Sequence, residues 1–288
     1  MPYIYLLVSV FMNASASIFG KFFEKNNNEL ENGTKLYNCV QGLCVFLVWG
    51  ILYIFDFSFD VQVLPYCLLF AICFTLTQIG IINALRYGPT TLTTLFISLS
   101  LIVTTIWGFI FWNTKITYLV VIGIILVVIA ICFCLYTSEK EQKKISWKWI
   151  IFVLMAFFGN AGCSIVQRTQ QMQFDGHHKY MFMAVATLLS AIACLVIYLF
   201  SSKKNSNKIF SKSVCFPIMA GICNVVLNLF VMLLVSSSLS PSLIYPVIGV
   251  GGLMIVTLTS IFVFKEKLKR QQWFGIIIGA IATVILSI

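Results

Sequence analysis

Apolar residues in this chain come in long unbroken runs, and the polar and charged residues collect in short gaps between them. A hydrocarbon layer about 30 Å thick takes about 20 helical residues to cross, and the chain offers ten runs of that order. They lie near residues 3–22, 37–55, 64–85, 90–112, 118–136, 147–166, 180–200, 214–235, 242–264 and 271–288. The runs are continuous and do not alternate with period two. That pattern excludes an outer-membrane barrel and predicts an all-α integral membrane protein, because only closed barrels and helices satisfy every backbone group inside lipid. The first run has no basic residue before Tyr3 and no small-residue cleavage pattern after its core, so it reads as a retained span and not a secretion signal.

The gaps carry their own information. Residues 24–35 are polar and mixed in charge, and 55–63 is short and acidic through Asp56 and Asp60. Arg86-Tyr87-Gly88-Pro89 reads as a tight turn, since proline cannot continue the preceding helix, and this makes the third and fourth runs antiparallel neighbours. The charged stretch 138–148 is the natural seam of the chain, too short for a flexible linker between separate bodies. Residues 236–241 form a neutral turn that mirrors 86–89.

That mirroring extends to a repeat. One ungapped shift sets Pro241 on Pro89, Leu253 on Leu101, Thr257 on Thr105, Lys267 on Lys115, Gly275 on Gly123 and Ala282 on Ala130. A second shift, differing only by loop length, sets Asn13-Ala14, Ser17-Ile18 and Lys21 on Asn160-Ala161, Ser164-Ile165 and Arg168. The chain therefore reads as two units, residues 1–138 and 139–288, of five helices each. Five is odd, so the second unit enters the membrane with the opposite orientation, and the expected fold is ten transmembrane helices arranged as two inverted-topology repeats. Repeats of this kind are characteristic of transporters.

Composition agrees with the pattern: 60% of residues are hydrophobic and 10% charged, against about 25% charged in soluble domains, and the mean hydropathy is +0.99. The net charge of +10 does not point to nucleic acid, because the basic residues sit in short membrane loops. All Lys and Arg except Lys115, Arg168 and Lys179 fall in the odd-numbered loops, which the positive-inside rule places in the cytoplasm with both termini outward. The ten cysteines lie in apolar runs or at their ends and read as small packing residues. Cys132 and Cys134, two positions apart, face different sides of a helix and do not hold a metal together.

The most specific stretch is LTSIFVFKEKLKRQQWFGIIIGAIATVIL, from Leu258 to Leu286: a helix with small and hydroxylated residues, the hinge Phe264-Lys265-Glu266-Lys267-Leu268, then Trp273-Phe274-Gly275 opening the last helix. With its weaker first-half copy, which has Thr114 where the second has Glu266, it resembles the drug/metabolite transporter superfamily, EamA type. The resemblance spans the whole chain and implies export or exchange of small metabolites by alternating access, through a cavity between the halves. It also implies cytoplasmic termini, the reverse of what the loop charges indicate. Related small multidrug resistance proteins place a carboxylate in the first helix, whereas this chain has Asn13 and Asn160 there. Its nine acids all fall at predicted loops or hinges, which predicts transport without a proton gradient.

Polar residues inside the spans are the candidates for substrate binding. Asn13, Ser17 and Lys21 form one stripe on the first helix, and Asn160, Ser164 and Arg168 the same stripe on the sixth. Amides are costly in lipid, so both stripes point into the bundle, either as helix-to-helix bonds or as the lining of a central cavity. The second stripe is predicted to face the first across a pseudo-two-fold axis. Thr75 with Gln78, and Asn224 with Asn228, are similar pairs, and Tyr245 lies near Gly249, Gly251 and Gly252, whose simplest role is close helix packing. Trp107 fits either a cavity or a lipid-facing position. His177 and His178 read as part of a solvated turn. No nucleophile, acid and base set, phosphate loop or paired intramembrane acid occurs, so no enzyme, cofactor or metal is expected.

The function expected from these readings is secondary transport of a small polar, amino-acid-like metabolite across the cell (plasma) membrane. The alternatives are an organic-cation exporter of the same superfamily and, in a different class, a non-transporting membrane sensor or scaffold. The expected partners are a small-molecule substrate and the lipid bilayer, with no nucleic acid, the protein being a monomer or homodimer.

Overall fold

The computed structural model describes residues 2–27, 32–112, 118–135, 146–200, 213–235 and 241–285, and their regular structure is helical throughout. The first half supplies α1 (Pro2–Asn26), α2 (Gly33–Phe55), α3 (Leu64–Tyr87), α4 (Thr90–Leu99), α5 (Leu101–Phe111) and α6 (Tyr118–Leu135). The second supplies α7 (Trp147–Gln173), α8 (Lys179–Leu199), α9 (Cys215–Val235), α10 (Pro241–Phe262) and α11 (Arg270–Ile285). Local chemistry sets several boundaries. Asp60 accepts a hydrogen bond from the Gln62 backbone N–H at 2.8 Å and starts the 3₁₀ turn that leads into α3. Ser146 caps α7 by accepting from the Lys148 N–H. Gly88 and Pro89 end one helix and begin the next, as the turn sequence requires.

Every apolar run returns as a helix, with two corrections. The fourth run is not one helix: α4 and α5 are separated at Ser100, where Ser100 N–H bonds back three residues to Ile97 and its own carbonyl accepts from Val103, again three residues on. These tight i→i+3 turns interrupt the α-ladder without proline or glycine, which is why hydropathy does not reveal the break. The second correction concerns helix ends. The apolar runs stop at Phe22 and Val166, yet α1 continues to Asn26 and α7 to Gln173. Glu24 is thereby placed on a helix and is only 4% exposed, not in a solvated loop as its sequence context suggests.

Among the described residues, α1, α2, α3, α7, α8 and α9 are long and apolar enough to cross a membrane, and shorter apolar segments lie in α4, α6 and α10. Large apolar side chains such as Leu47, Ile51, Leu69, Ile72, Phe158, Ile192 and Met254 are exposed on the outer faces. A water-soluble protein does not leave so extensive an apolar surface uncovered, whereas hydrocarbon solvates it at no cost. Trp107 belongs to this outer surface, stacked on Phe111 at 4.1 Å.

The helices of the two halves pack against each other more than within themselves. α1 lies on α9 and α10, α7 on α3, α4 and α5, α2 on α8, and α6 on α11. The α3–α7 crossing is close because each helix offers a glycine at the contact: a Cβ at Gly80 would sit 2.6 Å from Ala156 N, and one at Gly159 would sit 2.5 Å from Thr77 Oγ1. Gly251 and Gly252 similarly admit Val10 and Asn13 of α1, so these glycines have the packing role expected of them. Apolar cores fill the sides of the bundle, one around Trp49, Phe70 and Phe182 and another around Leu95, Trp149 and Phe157.

Candidate functional site

Between α1, α2, α3, α4, α7, α9 and α10 lies a cavity of about 210 Å³. Its position follows from the polar stripes. Asn13 and Ser17 reach it from α1, Gln78 from α3, Asn160 and Ser164 from α7, and Asn224 and Asn228 from α9. The structure thus gathers seven of the expected residues around one space. Two of them, Asn13 and Asn160, also bond to other elements, so both readings of the stripes, helix-to-helix bonds and cavity lining, apply to these two. Asn13 Nδ2 donates to the Ile248 carbonyl of α10 at 3.3 Å, and Asn160 Nδ2 donates to Ser100 Oγ at 2.8 Å. Asn228 Nδ2 donates to the Asn224 carbonyl at 2.9 Å on the same helix.

The other expected residues lie elsewhere. Lys21 does not line the cavity: its Nζ donates to the carbonyls of Leu85 at 2.8 Å and Gly88 at 3.2 Å, and lies 3.9 Å from Glu266 Oε1. Arg168 is also outside the lining, with its guanidinium 4.6 Å from the centre of the Trp112 ring. A stripe of three residues spaced by four positions rises about one turn per step, so its last member ends beyond the cavity, near the loops. Thr75 is spent in an α3–α8 link, 2.7 Å from Ser190 Oγ, and Thr77 takes its place at the cavity. Tyr245 lies on α10, but its side chain is outside the described residues. His177 and His178 sit in the turn before α8, and among the described residues no cluster of metal-ligating groups occurs.

Sequence reasoning missed Tyr37, Gln41, Thr94, Ser98 and Gln167, all of which line the cavity. Gln41 carried a readable signal, an amide in the middle of an apolar span. Gln167 is adjacent to Arg168, and it is the amide and not the cation, which falls at four-residue spacing from Ser164, that lines the cavity. Thr94 and Ser98 were hidden because helical hydroxyls satisfy themselves on the preceding turn, as both do here. Three lining amides hold atoms that are enclosed yet have no hydrogen-bond partner: Gln41 Oε1, Gln78 Nε2 and Gln167 Nε2. An unmet buried polar atom costs about 1–3 kcal/mol, which makes these groups conspicuous.

Beyond the cavity, one end of the bundle is tied together. Glu266, in the hinge after α10, accepts at Oε1 from Thr90 N at 2.9 Å and Thr90 Oγ1 at 2.8 Å, capping α4, while Lys21 approaches the same oxygen. Lys265 adopts φ 55, and Glu266 N–H bonds back to the Ser260 carbonyl at 2.9 Å, a left-handed helix ending that aims Glu266 at its target. Glu24 and Arg86 lie 4.0 Å apart nearby, and Phe22 packs edge-on to Phe264 at 5.0 Å. The cluster joins the ends of α1 and α3 to the start of α4 and the α10–α11 hinge, all at predicted odd-numbered loops.

The chain resembles known proteins as follows. It is 26% identical over 182 residues to an uncharacterized protein of Haemophilus influenzae (strain ATCC 51907 / DSM 11121 / KW20 / Rd), a match covering 62% of this chain and 60% of that protein's length. A solved crystal structure shares the fold with a TM-score of 0.61 at 9% identity, covering 97% of this chain and 98% of that one. Residues 7–288 match the family described as "Sugar transport protein". An all-helical multi-pass bundle enclosing a cavity lined by amides, hydroxyls and apolar side chains accords with that match along nearly the whole chain, which belongs to the sugar transport protein family of membrane transporters.

Proposed function

We propose that the protein is a secondary carrier in the plasma membrane that moves a small neutral polyhydroxylated solute, a sugar, through the central cavity by alternating access. The observation that carries this reading is the chemistry of the lining. It combines amides and hydroxyls with the aromatic residues Phe70, Phe74 and Tyr37 and, among the described residues, contains no Asp, Glu, Lys, Arg or His. A zwitterionic amino acid needs partners for two charges, and the two cations of the stripes, Lys21 and Arg168, are held by other groups outside the cavity. An organic cation needs a carboxylate that the lining lacks. A sugar asks for many weak hydrogen bonds and flat apolar faces, which this lining offers.

The carrier is organised, in this proposal, as two inverted repeats of the EamA type, with α4 and α5 together making one span. Paired contacts support the symmetry. The shift that sets Pro241 on Pro89 also sets Phe264 on Trp112 and Gly252 on Ser100. Correspondingly, Asn13 packs on Gly252 while Asn160 bonds Ser100, and Lys21 reaches the second-half hinge while Arg168 covers Trp112 at the first-half hinge. Each half's first helix thus reaches the other half's hinge. The Lys21–Glu266–Thr90 cluster acts as the latch at the odd-loop end, and opening that end requires its rupture.

Reconstituted protein, loaded with unlabelled solute and offered labelled glucose, ribose, alanine or tetraethylammonium, separates the possibilities. Counterflow of a neutral sugar at least tenfold above that of alanine or the cation is the expected result. Equal or greater exchange of alanine returns the site to the amino-acid reading, and exchange of none of them in folded protein favours a non-transporting role.

A further inference from the structure

Gln41, Gln78 and Gln167 approach one cavity from three different helices, α2, α3 and α7. The three residues are 4%, 8% and 7% exposed, so all of them are buried. Each keeps one enclosed polar atom without a partner, an oxygen on Gln41 and a nitrogen on Gln78 and Gln167. Other polar groups of the lining differ in this respect: Asn13, Asn160 and Asn228, which are part-buried, donate to neighbouring groups, and Thr77, Thr94 and Ser98 bond back to their own helices. Folding has thus given these asparagines, the two threonines and Ser98 partners and left an atom of each glutamine open.

We infer that Gln41, Gln78 and Gln167 are the specificity-determining residues of the site, and that they read the hydroxyl groups of a single monosaccharide unit. The inference rests on the sugar-carrier reading above and adds which residues recognise the solute and how large it is. An amide presents an acceptor and two donors, and a sugar hydroxyl both donates and accepts, so the match holds whichever way each amide is turned. A carboxylate only accepts and an ammonium only donates, so an ion of one sign meets either the oxygen or the nitrogen vacancies, and an amino acid meets both only by seating two charges against neutral amides. The size agrees, because about 210 Å³ falls below the range of roughly 300–1,000 Å³ typical of drug-sized ligands and suits one sugar ring. Phe70 and Phe74, stacked on one another at 5.7 Å, give that ring an apolar face on α3.

The test uses the full-length protein in proteoliposomes and in detergent. Gln41→Met, Gln78→Met and Gln167→Met keep the length of the side chain and remove its polar end. Each is expected to weaken the apparent affinity for labelled glucose or ribose, whichever the wild type exchanges better, by about tenfold or more. The midpoint of thermal unfolding without sugar should stay level or rise, because an unmet buried amide has been replaced by an apolar group. A glutamine that serves only the scaffold gives the opposite signs, a lower midpoint with unchanged affinity, and that result for all three overturns the assignment. Deoxy analogues of the same sugar sharpen the test: for at least one position, the loss caused by a variant and by deoxygenation should not add. Full additivity at every position also overturns the assignment. A wild type that exchanges alanine in preference to sugars defeats the underlying carrier reading instead, so the two failures are distinguishable. Oligosaccharides of three or more units should not compete, and competition by them at monosaccharide concentrations contradicts the single-unit size.

Discussion

Glu266 shows how much one side chain in this fold can connect. Its carboxylate caps α4 through Thr90 and faces Lys21, whose ammonium is in turn bound to the carbonyls that end α3. The two partners are 19% and 14% exposed, enough burial for the contacts to hold against solvent. Hydrogen bonds to charged groups contribute about 1.5–3 kcal/mol. Glu266→Gln keeps an oxygen for Thr90 and loses only the charge, whereas Glu266→Ala leaves the start of α4 and the ammonium without that acceptor. The alanine variant should therefore lower the unfolding midpoint in detergent more than the glutamine variant does, and equal effects contradict the capping role. Exchanging the pair, Lys21→Glu with Glu266→Lys, should not restore stability. A glutamate at 21 would face the Leu85 and Gly88 carbonyls, and a lysine at 266 would face the Thr90 N–H, so each reversed charge meets backbone groups of the wrong polarity.

Among the elements, the α3–α7 crossing is the most exacting contact. A methyl group at Gly80 would lie 2.6 Å from Ala156 N and 2.8 Å from the Phe152 carbonyl, both backbone atoms that no rotamer change can move. Overpacking of this sort costs about 1–3 kcal/mol. Gly80→Ala should lower the unfolding midpoint, while Gly50→Ala, which has only the side chain of Phe46 at 3.7 Å to meet, should leave it nearly unchanged. Similar midpoints for the two variants would show that the helices part without cost. The same elements mark where the sequence was legible. Among the described residues hydropathy marked where the helices lie, though it read α4 and α5 as one, because a helix in lipid needs a long apolar run, and Asn13, Ser17, Asn160 and Ser164, grouped by helix spacing, line one cavity. It did not foresee the break at Ser100, which rests on two backbone hydrogen bonds, nor the burial of Glu24, which depends on Arg86 arriving from another helix. Lys21 and Arg168 were misplaced for the same reason: periodicity gives the face of a helix, and only the partner helices decide where along it a cavity ends.

At the scale of the whole molecule, the central cavity and the latch make a joint claim about motion. The cavity is bounded by both halves, and the residues that fasten the odd-loop end also come from both: Lys21 and Thr90 from the first, Glu266 from the second. If the halves rock about the cavity, weakening this fastening must favour the state open at that end. A loss of about 1.5–3 kcal/mol corresponds to about a ten- to hundredfold shift in the equilibrium between states. Ser17 lines the cavity one helical turn from Lys21 and offers a position for observing the shift. In a cysteine-free background carrying Ser17→Cys, adding Glu266→Ala should speed modification by an impermeant thiol reagent applied from the odd-loop side, by about tenfold or more. From the opposite side the rate should stay the same or fall. The loop charges predict the odd-loop side to be cytoplasmic, so vesicles of both orientations also test the topology. Equal acceleration from both sides would indicate general loosening of the bundle, and no acceleration from either would mean that the Lys21–Glu266–Thr90 cluster fastens a part of the protein that does not move.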